Sequence, residues 1–165
     1  MPHSVATATP ADEPLLWAML FEASHAAEQN MTSDELRSVP ELARYVEGWG
    51  RPGDLGVVGG PSGGAGAAWL RLFPADNPGY GYVDDATPEL AIGVAPQLRG
   101  SGLGTTLLRR LLADARQRYD TVSLSVRQSN PALRLYERLG FDIVPGSHVV
   151  NRAGTTSVTM VHRFR

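Results

Sequence analysis

The feature that most constrains this chain is residues 90–112, LAIGVAPQLRGSGLGTTLLRRLL, where an apolar run passes straight into a glycine-dense turn that opens a helix. Leu90 to Val94 reads as a strand. From Gly102 to Arg118, residues Leu103, Leu107, Leu108, Leu111, Leu112 and Ala115 form one apolar stripe, with Arg109, Arg110, Asp114 and Arg116 facing water. The first N–H groups of a helix have no partner within it, and its dipole places partial positive charge there, so the turn suits an anion. Gly100, Gly102 and Gly104 bring no side chain to obstruct a phosphate, and Arg99 adds a fixed positive charge. A pyrophosphate-bearing ligand is the natural guest. The spacing is GxGxG with Thr105 in the final slot, not GxGxxG, and it comes after several strands, which argues against a Rossmann unit. A nucleotide-binding domain using the same turn is one rival reading.

The flanking segments set the fold class. Residues 4–8 read as a short strand and residues 12–29 as a helix with Leu15, Leu16, Met19, Leu20 and Ala23 at helical spacing, capped by Thr9 or Asp12. Residues 33–49 read as a second helix that Pro40 breaks or restarts. Strands follow at 55–58 and 67–73 around GGPSGGAG, a hairpin loop, and residues 74–88 form a long polar loop. After the 102–118 helix come a strand at 121–126, a short helix at 131–139 and strands at 141–144 and 157–164. Asn130 can cap the short helix, Pro131 suits its first position and Gly140 ends it in a left-handed turn. The order βααβββαβαββ predicts a single α/β domain over 1–165, with a mixed, partly antiparallel sheet of about seven strands flanked by helices.

Composition removes whole function classes. The 165 residues include no cysteine, which excludes disulfides, Cys-based metal sites and a Cys nucleophile. All 15 basic residues are arginine, so a P-loop, a pyridoxal phosphate Schiff base and a kinase ATP site each lack their lysine. No apolar run reaches the roughly 18 residues of a membrane span, and the opening MPHSVATATPADEP lacks a signal core, so a cytoplasmic protein is expected. His3, His25, His148 and His162 are scattered without metal-ligand spacing, and no metal is expected. The charge is uneven: residues 1–94 carry 13 acids and 4 arginines, a formal −9, and residues 95–165 carry 4 acids and 11 arginines, a formal +7. That split suits an anionic ligand on the C-terminal half and a cationic one on the N-terminal half, or simply mutual pairing of the halves.

Two motifs together are more specific. Arg99-x-x-Gly102-x-Gly104, preceded by Val94-Ala95-Pro96, resembles the acyl-coenzyme A signature of the GNAT acetyltransferase superfamily. Asn130-Pro131-Ala132-Leu133-Arg134-Leu135-Tyr136-Glu137-Arg138-Leu139-Gly140-Phe141 resembles the NPAxxLYxxxGF block of the same family, and ATPADEP resembles its first strand and helix entry. Val5 or Ala6 stands where that family usually has a basic residue on the first strand. The resemblance implies a sheet splayed at the cofactor site. It implies that the amides of Arg99, Gly100, Ser101, Gly102, Leu103, Gly104 and Thr105 hold the coenzyme A pyrophosphate and that the backbone of Ile92 and Val94 pairs with the pantetheine arm. Asn130 and Arg134 would lie beside the arm and the nucleotide end, and Tyr136 near the sulfur.

The implied reaction moves an acetyl group from acetyl-coenzyme A directly to an amine. The amine must first lose a proton, and the departing thiolate, whose thiol has a pKa of about 8.5, gains from a proton donor. Tyr136 is the candidate donor and Glu89, opening the cofactor strand, the first candidate base, directly or through water. Asp84 and Asp85 are alternative bases, and as acids on the preceding loop they are expected to draw in a cationic acceptor. Tyr80 and Tyr82 would instead hold an aryl amine. The expected partner is a small-molecule or peptide amine, with no nucleic acid and no membrane; a homodimer is one option for the oligomeric state. The rival from another class is a non-catalytic acyl-coenzyme A-binding regulatory module.

Overall fold

Strand β4, Glu89–Val94, contributes to both compact units of the chain. Met1–Arg71 with Ala91–Asp114 forms one unit, and Leu72–Leu90 with Ala115–Arg165 the other. The computed structural model describes residues 4–60, 65–151 and 153–165; His3 and half of the Gly-rich hairpin loop, 61–64, lie outside the described residues.

In the first unit, β1 (Val5–Thr7), β2 (Leu55–Gly59) and β3 (Gly66–Arg71) pair antiparallel in that order, and β3 neighbours β4. Ala6 lies opposite Val58, and Val58 opposite Ala67. All six residues of β3 are buried, which explains why AAWLRLF reads as a continuous apolar run rather than an alternation. Four helices belong mainly to this unit: α1 (Glu13–Ala23), α2 (Ser33–Arg37), α3 (Pro40–Ala43) and α4 (Leu103–Ala115). The α4 stripe is buried as the periodicity predicts, with Leu103, Leu107, Leu108, Leu111 and Ala115 fully inaccessible.

Two helices differ from expectation. The helix expected over 12–29 ends at Ala23, because His25 and Asn30 take left-handed backbone (φ 55° each) on either side of one 3-10 turn, Ala26–Gln29. The helix expected over 33–49 is two short ones. Thr32 caps α2 reciprocally with Glu35, each backbone N–H donating to the other side chain at 3.1 Å. Val39, next to Pro40, is extended (ψ 106°), as the proline ring requires, and α3 starts afresh.

Beyond α3 the chain is held by a buried ion pair. Arg71, at the end of β3, donates from Nε and Nη2 to both carboxylate oxygens of Asp54 at 3.0 and 2.8 Å. Its Nη1 donates to the carbonyls of Arg44 and Glu47. Gly93 sets the other close approach: a Cβ there would lie 2.1 Å from the Met19 carbonyl oxygen, so α1 backbone rests directly on β4.

In the second unit, β5 (Thr121–Arg127) and β8 (Thr156–Arg163) pair antiparallel over seven residue pairs, while β6 (Asp142–Ile143) and β7 (Val149–Val150) also pair with β8. β4 meets β5 in parallel, with Glu89 opposite Ser123. The strand β7 makes eight where about seven are expected; two residues are too few to show alternation. Helix α5 (Ala132–Arg138) lies one residue inside each expected end, with Pro131 just before it; Asn130 Oδ1 accepts from Ala132 N at 2.9 Å, and Gly140 turns left-handed (φ 97°). The class is mixed α/β with a mostly antiparallel sheet. No helix among the described residues is long and apolar enough to cross a membrane.

Candidate active site

The turn before α4 is shaped by its glycines. Gly100 and Gly102 have φ of 79° and 89°, the region that favours glycine, and a Cβ on either would meet nothing within 4 Å. Ser101 N donates to Leu98 O, Leu103 N to Ser101 Oγ and Thr106 N to Gly102 O. Among the described residues no hydrogen bond takes up the N–H groups of Gly100, Gly102, Gly104 and Thr105. Four donors therefore stand open at the positive end of a 13-residue helix. Arg99 is exposed, and its Nη2 pairs with Glu22 Oε1 at 3.0 Å, so its charge is partly matched by α1. Ile92 and Val94 direct side chains towards Gly104, where a Cβ would sit 3.8 Å from each.

The second unit carries the two candidate proton-transfer groups. Glu89 is only 3% exposed, and its Oε1 accepts from Gly81 N at 2.9 Å. Gly81 presses on β5: a Cβ there would lie 2.7 Å from the carbonyl carbon of Leu124. The long 72–88 segment is thus tied down at its middle. Tyr136 is 7% exposed, and burial pushes its hydroxyl up to about 12, so it stays protonated at neutral pH. Its ring meets Phe141 edge-on at 5.9 Å, Phe141 touches His162 at 5.3 Å and His162 meets Phe164 at 4.8 Å. His162 is paired with Val122, so this stack occupies the sheet face opposite the one that Ser123 and Glu89 share.

The remaining expected residues are less enclosed. Asp84 and Asp85 are exposed and Tyr80 and Tyr82 half-buried. The Tyr82 hydroxyl donates to Asp85 Oδ1 at 2.5 Å, a bond that, with Asp85's charge, raises the phenol to about 12. Asp84 Oδ1 accepts from Ala86 N at 3.0 Å. Both acids therefore shape their own loop. Arg134 is exposed on α5, and Asn130 spends its carbonyl on the cap. Trp17 and Trp49 are buried core residues.

Sequence reasoning missed Ser123, which is fully buried opposite Glu89. It also missed the Arg71–Asp54 pair. An arginine inside an apolar strand was the available signal for the second, since such a charge must find a partner. Nothing local marks Ser123, whose importance lies in its cross-strand neighbour.

A profile of the acetyltransferase (GNAT) family matches residues 17–141. A mycothiol acetyltransferase of Kineococcus radiotolerans is 36% identical over 121 residues, covering 72% of this chain and 35% of that protein. A GCN5-like protein acetyltransferase of Mycobacterium tuberculosis is 36% identical over 143 residues, covering 74% of this chain and 63% of that protein. The chain thus spans about a third of the length of the first relative and less than two thirds of the second. The ribosomal-protein-alanine N-acetyltransferase of Brucella melitensis shares the fold with a TM-score of 0.72 at 23% identity, covering 98% of this chain and 99% of that one. The Salmonella typhimurium protein yncA, solved with its cofactor acetyl-CoA, does so with a TM-score of 0.71 at 21% identity, covering 100% and 95%. This chain belongs to the GNAT family of acetyltransferases.

Proposed function

We propose that this chain transfers the acetyl group of acetyl-coenzyme A to a primary amine of a small molecule or peptide. One observation carries the reading: the four open N–H groups of Gly100, Gly102, Gly104 and Thr105 at the start of α4, in a chain of this family. They fit a pyrophosphate, and the left-handed glycines leave room for one. Bound acetyl-coenzyme A supplies an activated thioester. The chain supplies binding, by this turn and the backbone of Ile92 and Val94, and two proton-transfer groups.

Glu89 takes the proton of the incoming ammonium at its carboxylate, because only the neutral amine has a lone pair for attack. Tyr136 holds a proton at its hydroxyl for the departing sulfur. Burial that raises the phenol to about 12 keeps that proton on the hydroxyl until the sulfur departs. Asp84 and Asp85 contribute an exposed negative edge that favours a cationic acceptor, with Tyr80 and Tyr82 beside it. The cytoplasm is the compartment this reading implies.

The test is release of free thiol from acetyl-coenzyme A across a panel of polyamines, amino acids, peptides and aryl amines. Amine-dependent release supports the reading. A protein that coenzyme A stabilises but that turns over no amine in the panel is a non-catalytic acyl-coenzyme A-binding module.

A further inference from the structure

Ser123 presents a problem that the fold alone does not solve. It is 0% exposed, and its Oγ has no hydrogen-bond partner among the described residues. Its backbone is satisfied, with N donating to Pro88 O at 3.0 Å, so the orphan is the hydroxyl alone. Leaving a buried hydroxyl unpaired is costly. Alanine would fill the same space without that cost.

The neighbours indicate what the hydroxyl is for. In the parallel β4–β5 pair, Ser123 is directly opposite Glu89. Paired residues project to the same sheet face, so the hydroxyl and the buried carboxylate share one side. Gly81 N–H donates to one oxygen of that carboxylate. The same glycine covers β5 at Leu124 and Ser125, which closes this face over the pair. A buried water needs at least two polar partners, and a serine hydroxyl beside a carboxylate supplies them.

We propose that Ser123 is a positioning residue whose Oγ, together with the Glu89 carboxylate, holds a buried water that passes the acceptor's proton to Glu89. This rests on the acetyltransferase reading. The ammonium gives one proton to the water oxygen, a proton of that water passes to the carboxylate, and the water is regenerated. The amine nitrogen keeps the electron pair with which it forms the new bond, and nothing is oxidised or reduced. Ser123 fixes the water's position and exchanges no proton with bulk solvent.

The experiment pairs a high-resolution crystal structure of the whole chain with kinetics of Ser123→Ala and Ser123→Thr. The expected structure has a water within hydrogen-bond distance of both Ser123 Oγ and Glu89 in the wild type, and none bridging them in Ser123→Ala. Kinetically, Ser123→Ala lowers kcat about tenfold with KM for acetyl-coenzyme A unchanged, and Ser123→Thr, which keeps the hydroxyl on a strand-favouring stem, recovers most of it. A wild-type structure with no water at Ser123 Oγ overturns the proposal, even if Ser123→Ala fails to fold. A folded Ser123→Ala with wild-type kcat overturns it equally. A bridging water in a wild type that acetylates no amine overturns the acetyltransferase reading, and Ser123's catalytic part with it, while leaving the hydration site standing.

Discussion

The turn at residues 99–105 and the strand pair at Glu89–Ser123 both hold polar groups left unpaired among the described residues, yet they hold them under opposite conditions. Gly100 and Gly102 are exposed, and solvent can satisfy their amides at little cost. Ser123 is fully buried, and an unpaired hydroxyl there is costly. Open donors at the surface are therefore compatible with a ligand that comes and goes. An open group in the interior points to something that stays. The same contrast separates the ionisable groups: Arg99 pairs with Glu22 in partial contact with solvent, whereas Glu89 and Tyr136 are enclosed.

The largest effect expected from breaking the enclosed region is at Tyr136. Tyr136→Phe keeps the ring contact with Phe141 and removes the proton, so kcat falls by roughly 10²–10⁴ while coenzyme A affinity barely changes. Steady-state kinetics beside equilibrium binding check this; an unchanged kcat would make the hydroxyl purely structural. Burial also links Tyr136 to stability. A folded pKa of about 12 against an ordinary 10 means the hydroxyl's contribution is intact below pH 10 and is lost as the pH rises to 12. The Phe variant should lose roughly 3 kcal/mol less than the wild type across that window.

A second test compares the two ion pairs of the first unit. Arg71 and Asp54 have side chains only 1% and 4% exposed. Arg71→Met leaves Asp54 buried without its cation, and chemical denaturation should show a loss of about 3–5 kcal/mol. Glu22→Gln at the exposed pair should cost under about 1 kcal/mol. Equal losses would erase the contrast between enclosed and open charges.

The smallest effect belongs to the loop acids. Asp85→Asn removes the negative charge from the group that accepts from the Tyr82 hydroxyl, so ultraviolet titration should show that phenol moving down from about 12 towards 10. The double change Asp84→Asn and Asp85→Asn should raise KM for a cationic amine a few-fold, less so at high salt, with kcat kept. An acceptor KM insensitive to both would remove these acids from substrate attraction.

What was legible in the sequence was local. The α4 stripe, the α5 cap at Asn130 and the left-handed Gly140 each follow from residues within one or two turns. The glycine turn was legible for the same reason. What escaped depends on partners far along the chain. Arg71 meets Asp54 across 17 positions, and Ser123 gains its meaning from Glu89 on another strand. The early end of α1 escaped because His25 and Asn30 adopt left-handed backbone without a glycine to announce it. Loops 44–54 and 72–88 take shape from buried anchors, Arg71 and the Gly81–Glu89 bond, that no periodicity reveals.

The central claim is that the open amides before α4 bind the cofactor's phosphates, and thermal unfolding with and without coenzyme A tests it most directly. At about 100 times its dissociation constant, coenzyme A should stabilise the wild type by about 2.7 kcal/mol, a rise in Tm of about 5–10 °C. Thr105→Asp places a carboxylate among the open amides while favouring the start of the helix, so the protein should fold and the shift should vanish. Gly102→Asp should do the same, with some added strain at a φ of 89°. A wild type that coenzyme A does not stabilise, or a folded Thr105→Asp that it stabilises as strongly as the wild type, would contradict the claim.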